Sequence, residues 1–351
     1  MSGHPSASPL ALPDVIDPNR WQRLQEHFAG VLGITLRTVS PAHQLLVTPS
    51  WPSGLDHERT INLLRIGQEL PPLLPLGSLP TETATLTTPL GVTYAAVPLR
   101  ATAEQILAYS VVGPVVVGLR EDAETFRRRM QNQHVEADPI WKLLLSVKLY
   151  TFTGFRSVLS LLEDVENALL QLAYQSRQLA ALVPHEPKVD SAITRYYTDK
   201  VLHALLDTAT TATKAEGGSI LTYDPTMEAF RICASEGLSE EILQQTVVKR
   251  GEGIVGLVAQ EQTIMLLDEE VTDSRLRTLM KRPQLRSSLV AALRPESSTE
   301  PIGVLNLRTS NPDRRFTGEH VVLLRKLLEL AGLALGSLRL VVQDRRPLSP
   351  T

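Results

Sequence analysis

The chain has a single cysteine, Cys233, among its 351 residues. One thiol excludes an internal disulfide framework and any metal site built from several cysteines, and it suits a reducing compartment. The eight histidines are scattered, with no pair at the i, i+4 spacing that places two ligands on one helix face. The sequence therefore predicts no metal site and no cofactor.

Long apolar runs are also missing. No run reaches the roughly 18 to 20 residues of a membrane-spanning helix. The most apolar segment, YSVVGPVVVGL at 109–119, is short, rich in β-branched residues and interrupted by Gly-Pro, and it predicts a buried strand pair. The N-terminal MSGHPSASPLALPD lacks the basic segment and apolar core of a secretory signal. We therefore expect a cytoplasmic protein with no membrane partner, and disordered tails at 1–13 and 343–351.

The charges nearly balance, with a net charge of -3, so electrostatics alone predict no nucleic-acid partner. Arg127 to Arg129 follow the acidic REDAE, which favours a solvated helix face over a nucleic-acid contact. A second basic cluster also favours a solvated surface over an anionic ligand or acidic partner; it comprises Arg275, Arg277, Lys281, Arg282 and Arg286.

Two prolines in ALVPHEPKVDSA break the chain into two domains, with a linker at 184–189. Upstream, apolar spacing over 18–32 predicts a helix ending at Gly33 and then a strand in ITLRTV. The Pro- and Thr-rich region 71–89 predicts a loop, and two β-rich runs and two helices follow it. Downstream, two long helices enclose a series of strands. The expected class is α+β, with a central antiparallel sheet flanked by helices in each domain and long amphipathic helices joining the domains.

Two of the long helices carry apolar residues that alternate steps of four and three. Such a stripe is typical of a coiled coil, and it predicts a dimer seam; the alternative is a helix packed on its own domain. The seam residues are Leu162, Val165, Leu169, Leu172 and Leu179 in the first helix and Leu324, Leu328 and Leu335 in the last.

The stretch GEGIVG, residues 251–256, matches the G-x-G-x-x-G pattern of dinucleotide loops. That loop needs a strand, the glycines and a three-turn helix at the first crossover of a parallel sheet. Here the preceding strand, TVVK, is short, the helix has barely two turns, and the glycines come late in the domain. We expect Gly251 and Gly253 to allow a tight entry with positive φ, and Gly256 to let a short helix lie against a strand.

Residues 190–342 resemble the GAF domain, a small-molecule sensor with a central antiparallel sheet. The resemblance rests on GGSILTYD, RICASEGL, RGEGIVGLVAQEQTIMLLDE, RSSLVAALRP and EPIGVLNLRTSNPDRRFTGEH, in that order. It implies a ligand pocket between the sheet and a short helix. The pocket residues it implies are Ser219, Leu221, Ile232, Gly253, Ile254, Asp268, Ser288 and Asn306.

The sequence departs in three ways from GAF domains of known ligand or activity. Leu307 stands where cyclic-nucleotide-binding GAF domains carry lysine, and Gly318-Glu319 replaces their Asp-Glu pair. Cys233 lies in a strand, not on the loop or helix that carries the bilin-binding cysteine. Free-methionine sulfoxide reductases of this fold cycle through several cysteines. Cys233 is therefore interpreted as a core thiol, with a redox sensor as the alternative.

Residues 14–183 resemble the PocR-type sensory domain, a PAS-like ligand module. The matching segments are RWQRLQEHFAGVLGITLRTV, YAAVPLRATAEQILAYSVVGPVVVG and the helical tail through LLEDVENALLQLAYQ. Members often carry cysteines in the middle segment, and this chain has none there, so a cysteine-bound metal or cobalt cofactor is not expected.

The sequence thus predicts a non-enzymatic, dimeric regulatory protein with tandem sensor domains. It contains no kinase, cyclase or helix-turn-helix motif, so the signal would leave through a separate kinase, response regulator or GTPase. The alternative is a ligand-free adaptor that binds a GTPase, kinase or motor. An enzyme of the sulfoxide reductase type is a third hypothesis, and no activity is expected from it.

Overall fold

The computed structural model describes residues 10–131, 136–182, 187–268, 276, 286–295 and 298–343. The chain divides into two compact units. Unit 1 contains the described residues up to 159 together with 170–182. Unit 2 contains 160–169 and the described residues from 187 to 343. Each unit combines helices with an antiparallel sheet, which confirms the predicted α+β class.

Unit 1 is built around a five-stranded sheet. Its helices are α1 (Leu12–Val15), α2 (Pro18–Leu32), α3 (His57–Leu64), α4 (Leu70–Leu73), α5 (Ala123–Met130) and α6 (Ala137–Ser146). Its strands are β1 (Leu36–Val39), β2 (Ala84–Thr87), β3 (Thr93–Arg100), β4 (Ile106–Val117) and β5 (Leu149–Tyr150). The order β1-β4-β3-β2 is antiparallel throughout, and β5 pairs with β4 in parallel. Helix α7 (Phe152–Leu182) follows and contributes residues to both units.

The local signals around α2 explain its bounds. The carboxylate of Asp17 accepts hydrogen bonds from the amides of Asn19 and Arg20, Pro18 occupies the first turn, and Gly33 ends the helix with φ of 68°. The predicted helix over 18–32 is confirmed. Its buried face packs on the sheet, where the Trp21 indole donates to the Thr38 hydroxyl at 2.8 Å.

Three expectations for unit 1 are wrong. The segment 71–89 is not all loop, because α4 extends into it and the alternating ATLT of β2 forms an edge strand. The segment 109–119 is not a strand pair: β4 continues through Gly113-Pro114, where a bulge accommodates the proline. The predicted tail 1–13 is too long, because α1 begins at Leu12, whose side chain is buried. Residues 1–9 lie outside the described residues.

An ion pair lies inside unit 1. The guanidinium of Arg37 on β1 contacts the carboxylate of Glu69, and the side chains are 5% and 2% exposed. The second carboxylate oxygen of Glu69 accepts from the amide of Gly67. Ions buried this deeply cost desolvation energy, so removing one partner leaves an uncompensated charge in the core.

Unit 2 is built around a six-stranded antiparallel sheet. Its strands are β6 (Gly217–Asp224), β7 (Ala229–Glu236), β8 (Val247–Lys249), β9 (Ile264–Asp268), β10 (Ser287–Leu293) and β11 (Gly303–Thr309), in the order β8-β7-β6-β11-β10-β9. The helices are α8 (Pro187–Thr213), α9 (Glu240–Gln245), α10 (Gly253–Glu261) and α11 (Gly318–Gln343), with a short 3-10 helix at Pro312–Arg314. The long α8 and α11 contact each other and the sheet, and α9 and α10 pack on strands of the same sheet.

Two glycines let the long helices approach the sheet of unit 2. A Cβ at Gly218 on β6 would lie 2.9 Å from side-chain atoms of Leu206 on α8 and Leu307 on β11. A Cβ at Gly332 on α11 would collide with the carbonyl oxygen of Arg294. A side chain at either position would force the helix away from the strands.

The predicted dimer seam is already covered within one chain. Seven of its eight side chains are buried, from Leu162, Val165, Leu169 and Leu172, each 0% exposed, to Leu335 at 6%; Leu179 is half-buried. Helix α7 is also buried beside the stripe, at Leu161 and Leu170. A helix that is apolar on several faces is typical of a core helix. These side chains therefore fit the alternative interpretation, in which each helix packs on its own domain. They offer no exposed stripe to a partner chain.

The remaining expectations concern segments that lie partly or mostly outside the described residues. Helix α8 begins at Pro187, and the predicted linker 184–189 falls partly outside the described residues. The charged helix predicted over 273–282 and most of the basic cluster around it also fall outside them. None of the helices in the described part combines the length and the apolar character needed to cross a membrane.

The buried ion pair generates a first prediction. Glu69→Ala should lower the free energy of unfolding of unit 1 by about 3 to 5 kcal/mol, because the Arg37 charge stays buried without its partner. All three tryptophans, Trp21, Trp51 and Trp141, lie in unit 1, so tryptophan fluorescence in a urea titration follows this unit alone. Glu124→Ala, which breaks the exposed i, i+4 pair with Arg128, is the control, and its effect should stay below about 0.5 kcal/mol. Equal effects of the two variants would contradict the role given to the buried pair.

A second prediction compares two glycines in helix interiors. Gly332→Ala should destabilise unit 2 by about 1 to 3 kcal/mol, because the collision with Arg294 outweighs the gain in helix propensity. Gly30→Ala in α2, where a Cβ meets nothing within 4 Å, should stabilise unit 1 by about 0.5 to 1 kcal/mol. Thermal unfolding followed by circular dichroism and by tryptophan fluorescence separates the two effects. A stabilised Gly332→Ala protein would show that α11 is free to move off the strands.

Candidate functional site

The candidate site is a cavity of about 260 Å³ in unit 2. Its floor is one face of the sheet, and α9, α10 and β8 contribute the walls. Because side chains alternate along a strand, residues two apart share a face. Ser219 and Leu221 on β6 and Ser288 and Val290 on β10 follow that rule, so the cavity lies on the sheet face opposite Leu289 and Ala291.

The floor carries both polar and apolar side chains. In the strand register Asn306 on β11 lies between Ser219 on β6 and Val290 on β10, and Arg308 lies beside Ser288. The apolar residues of the lining are Leu221, Ile232, Leu238, Ile242, Val248, Ile254, Val255, Leu267 and Val290. Such a cavity suits a compact, mostly apolar ligand that is oriented by a few polar groups.

Seven of the eight pocket residues predicted from the sequence line this one cavity: Ser219, Leu221, Ile232, Gly253, Ile254, Ser288 and Asn306. Asp268 does not. It directly follows Leu267, which does line the cavity, and neighbouring residues of a strand point to opposite faces.

Other residues that line the cavity are not among those predicted from the sequence. On the strands, Val290 and Arg308 stand two positions from the predicted Ser288 and Asn306, so strand alternation was the signal that identifies them. The walls contributed by Leu238, Ile242 and Thr246 come from α9 and its flanks. No pattern in the sequence indicates how α9 folds over the sheet.

The glycine-rich loop forms the entry to α10. Gly251 and Gly253 have φ of 74° and 62°, as expected from the sequence. A Cβ on Gly256 would lie 2.5 Å from the carbonyl oxygen of Lys249 on β8, so this glycine lets α10 lie against the strand. The helix has nine residues, and the strand pairs of this sheet are antiparallel, which is incompatible with the parallel unit of a dinucleotide fold.

Some polar groups of the side chains that line the cavity have hydrogen-bond partners among the described residues, and others do not. The Arg308 guanidinium donates to the carbonyl oxygen of Gly237. The Oδ1 of Asn306 is buried and accepts no hydrogen bond from the described residues. The charged side chains of the lining are Glu252 and Arg308, one of each sign. The cavity therefore has one unsatisfied acceptor and no excess of charge from its lining.

Cys233 lies outside the cavity. It occupies a bulge in β7, where Ile232 and Ala234 pair with Leu221 and Ile220, and its thiol donates to the carbonyl oxygen of Ile220 at 3.3 Å. The side chain is half-buried, and burial raises the pKa of the thiol to about 11. The neutral thiol dominates at physiological pH, which fits a structural cysteine better than a reactive one.

Other ionisable groups have structural partners. Arg127, Arg128 and Arg129 pair with Asp138, Glu124 and Glu121. His320, at the start of α11, accepts a hydrogen bond from the amide of Thr317 at 3.0 Å, and burial lowers its pKa. Within the described part of the chain, no three His, Cys, Asp or Glu side chains come together as a metal site would require.

Residues 198–336 match the family model of the GAF domain. This segment is a GAF domain. It contains all six strands of unit 2 and the cavity on their inner face. The match leaves residues 14–183 uncovered, so the resemblance of that segment to the PocR-type sensory domain stays a prediction.

Several solved structures are similar to part of this chain at low identity. One is the GAF domain of a phosphoenolpyruvate-protein phosphotransferase from Acinetobacter, with 18% identity, a TM-score of 0.34, and coverage of 52% of this chain and 96% of that one. Another is the GAF-B domain of DevS from Mycobacterium smegmatis, with 20% identity, a TM-score of 0.32, and coverage of 39% and 92%. A third is the type II free methionine-R-sulfoxide reductase of Thermoplasma acidophilum, with 15% identity, a TM-score of 0.34, and coverage of 41% and 96%. The comparison with curated proteins gives no match.

Unit 1 also contains a cavity, of about 330 Å³. Residues from α3, α4, β2 and α6 line it, and they include the buried Glu69. The carboxylate oxygens of Glu69 already bond to Arg37 and Gly67, so the GAF cavity is the better candidate site.

The raised pKa of Cys233 generates a third prediction. A thiol with a pKa near 11 holds about 100-fold less thiolate at pH 7.5 than one near its ordinary value of 9.0. Labelling of the native protein by a disulfide reagent such as DTNB should therefore be at least about 10-fold slower than labelling in guanidinium, because the higher nucleophilicity of a high-pKa thiolate offsets part of its low population. The labelling rate of the native protein should keep rising tenfold per pH unit through pH 9 to 10. Over the same range the labelling rate of the unfolded protein should level off. Equal rates at pH 7.5 would contradict a structural thiol.

Proposed function

We propose that this protein is a non-enzymatic cytoplasmic regulator whose GAF domain senses a small molecule. The observation that carries the proposal is the cavity beside α10, where seven residues expected from the GAF resemblance come together. GAF domains serve as sensory and signalling modules, and an open amphipathic cavity is the feature that such a role requires.

The arrangement of the sheet supports a route for the signal. The ligand would contact β6, β10 and β11 on one face, and α8 and α11 pack on the same strands from the other side. A ligand that favours one geometry of these strands would shift the population of helix positions. In the proposed mechanism the protein works as a dimer and passes this shift to a separate kinase, response regulator or GTPase. The dimer would use surfaces other than the seam side chains, which are buried.

An adaptor that has lost ligand binding is the competing function. It is favoured by the departures at Leu307, Gly318 and Glu319 from the cyclic-nucleotide motif. Loss of binding is commonly accompanied by large side chains that fill the pocket. Here two serines, Ser219 and Ser288, and Gly253 line a cavity of about 260 Å³, so the sensor is the stronger proposal.

An enzyme of the sulfoxide reductase type is not proposed. Its chemistry needs several cysteines, and Cys233, the only one in the sequence, lies outside the lining of the cavity. The raised pKa of its thiol disfavours the nucleophilic thiolate as well.

The proposal predicts that the full-length protein carries or accepts a small molecule in this cavity. Native mass spectrometry of the purified protein should show a stoichiometric adduct that is lost on denaturation, or a metabolite and nucleotide panel should raise its melting temperature. Ser288→Phe, which places a large ring in the cavity, should abolish the effect. Ser191→Phe, at an exposed position of α8, should not.

The same spectra test the assembly. A mass of two chains supports the dimer, and a single-chain mass would remove it from the proposal. A protein without adduct, whose melting temperature no compound in the panel changes, would contradict the sensor and favour the adaptor.

A further inference from the structure

The unsatisfied acceptor on the cavity floor points to a class of ligand. The side chain of Asn306 projects from β11, a central strand of the sheet, between Ser219 and Val290 on the neighbouring strands. Its Oδ1 is buried and has no hydrogen-bond donor among the described residues. A buried acceptor without a partner costs free energy, so native proteins rarely keep one without a reason.

The described neighbours of Asn306 leave its Oδ1 without a donor. The Ser219 hydroxyl, on β6, makes no hydrogen bond to it. Val290, on one side, has no donor in its side chain. Arg308, two positions along the strand, donates instead to the Gly237 carbonyl. The terminal torsion of an asparagine is soft, so rotation about it turns Oδ1 toward the cavity. The same rotation moves Nδ2 into the position that Oδ1 leaves, and a donor placed in the cavity would then bond to Oδ1.

We infer that the GAF cavity takes an uncharged, ring-sized, mostly apolar compound that donates one N–H or O–H hydrogen bond to Oδ1 of Asn306. This inference rests on the proposed sensor function and adds the chemical class of its ligand. The apolar lining residues supply the contact with a ring, and the opposite charges of Glu252 and Arg308 give no preference for an ion. At about 260 Å³ the cavity is smaller than the roughly 300 to 1,000 Å³ of drug-sized pockets, so a compact bicycle is a fitting probe.

Two matched probes isolate the hydrogen bond. Indole and benzofuran share one bicyclic shape, but indole carries an N–H where benzofuran carries an oxygen. Their dissociation constants are measured by calorimetry or by NMR titration with the full-length protein. The quantity compared is the ratio of the benzofuran constant to the indole constant, in which the common apolar contacts largely cancel.

This ratio is expected to fall in one variant. Asn306→Leu keeps the size of the side chain and removes the acceptor, and it should lower the ratio by about 3- to 10-fold, the weight of one neutral hydrogen bond. Ser219→Ala, which removes the hydroxyl opposite Asn306, should leave the ratio unchanged. Ser288→Phe should abolish the binding of both probes, because it fills the cavity.

The contrary outcomes separate this inference from the function on which it rests. If both probes bind and Ser288→Phe blocks them, but Asn306→Leu leaves the ratio unchanged, the ligand class is wrong and the sensor cavity stands. The ligand class is equally wrong if Ser219→Ala, rather than Asn306→Leu, removes the preference. If neither probe binds, or if binding survives Ser288→Phe, the cavity is not a ligand site and both proposals are overturned.

Discussion

The GAF domain depends on one constraint: its six-stranded sheet has two apolar faces, and each must be covered. Long helices cover one face closely, because glycines at 218 and 332 allow direct approach. On the other face, the described residues that cover the strands belong to α9 and α10, of six and nine residues, and include Leu276. The cavity lies between α9, α10 and the strands. The candidate cavity and the packing surface of the long helices therefore lie on opposite faces of the same strands.

Much of this arrangement follows from local patterns in the sequence. The resemblance to the GAF domain implies Ser219, Ser288 and Asn306, and alternation along each strand places residues two positions away on the same face. The positive φ of Gly251 and Gly253 follows from the need for a tight entry to α10. Asp268 breaks the pattern because one position along a strand reverses the direction of a side chain. The error at Asp268 is therefore one of register and not of fold.

The parts that could not be predicted depend on tertiary packing. A four-three stripe of leucines is the same in a coiled coil and in a core helix, and only the faces beside the stripe distinguish the two. Leu161 and Leu170 are buried as well as Leu162 and Leu169, which marks α7 as a core helix. Similarly, Gly113-Pro114 suggests a break between strands, but a bulge absorbs it within β4. The pairing of Arg37 with Glu69 joins residues 32 positions apart, and no local pattern indicates it.

The burial of the stripe also limits how the proposed signal would be transmitted. If the leucines of α7 and α11 were exposed, a ligand could act by changing how two chains meet along them. Because they are packed inside the chain, a movement of the strands reaches the surface only as a shift of whole helices, since close-packed side chains transmit displacement with little compression. In the proposed mechanism, the polar faces of α8 and α11 are then the surfaces that change position. A partner would respond to the placement of charged groups on these two helices, and not to a newly exposed apolar seam.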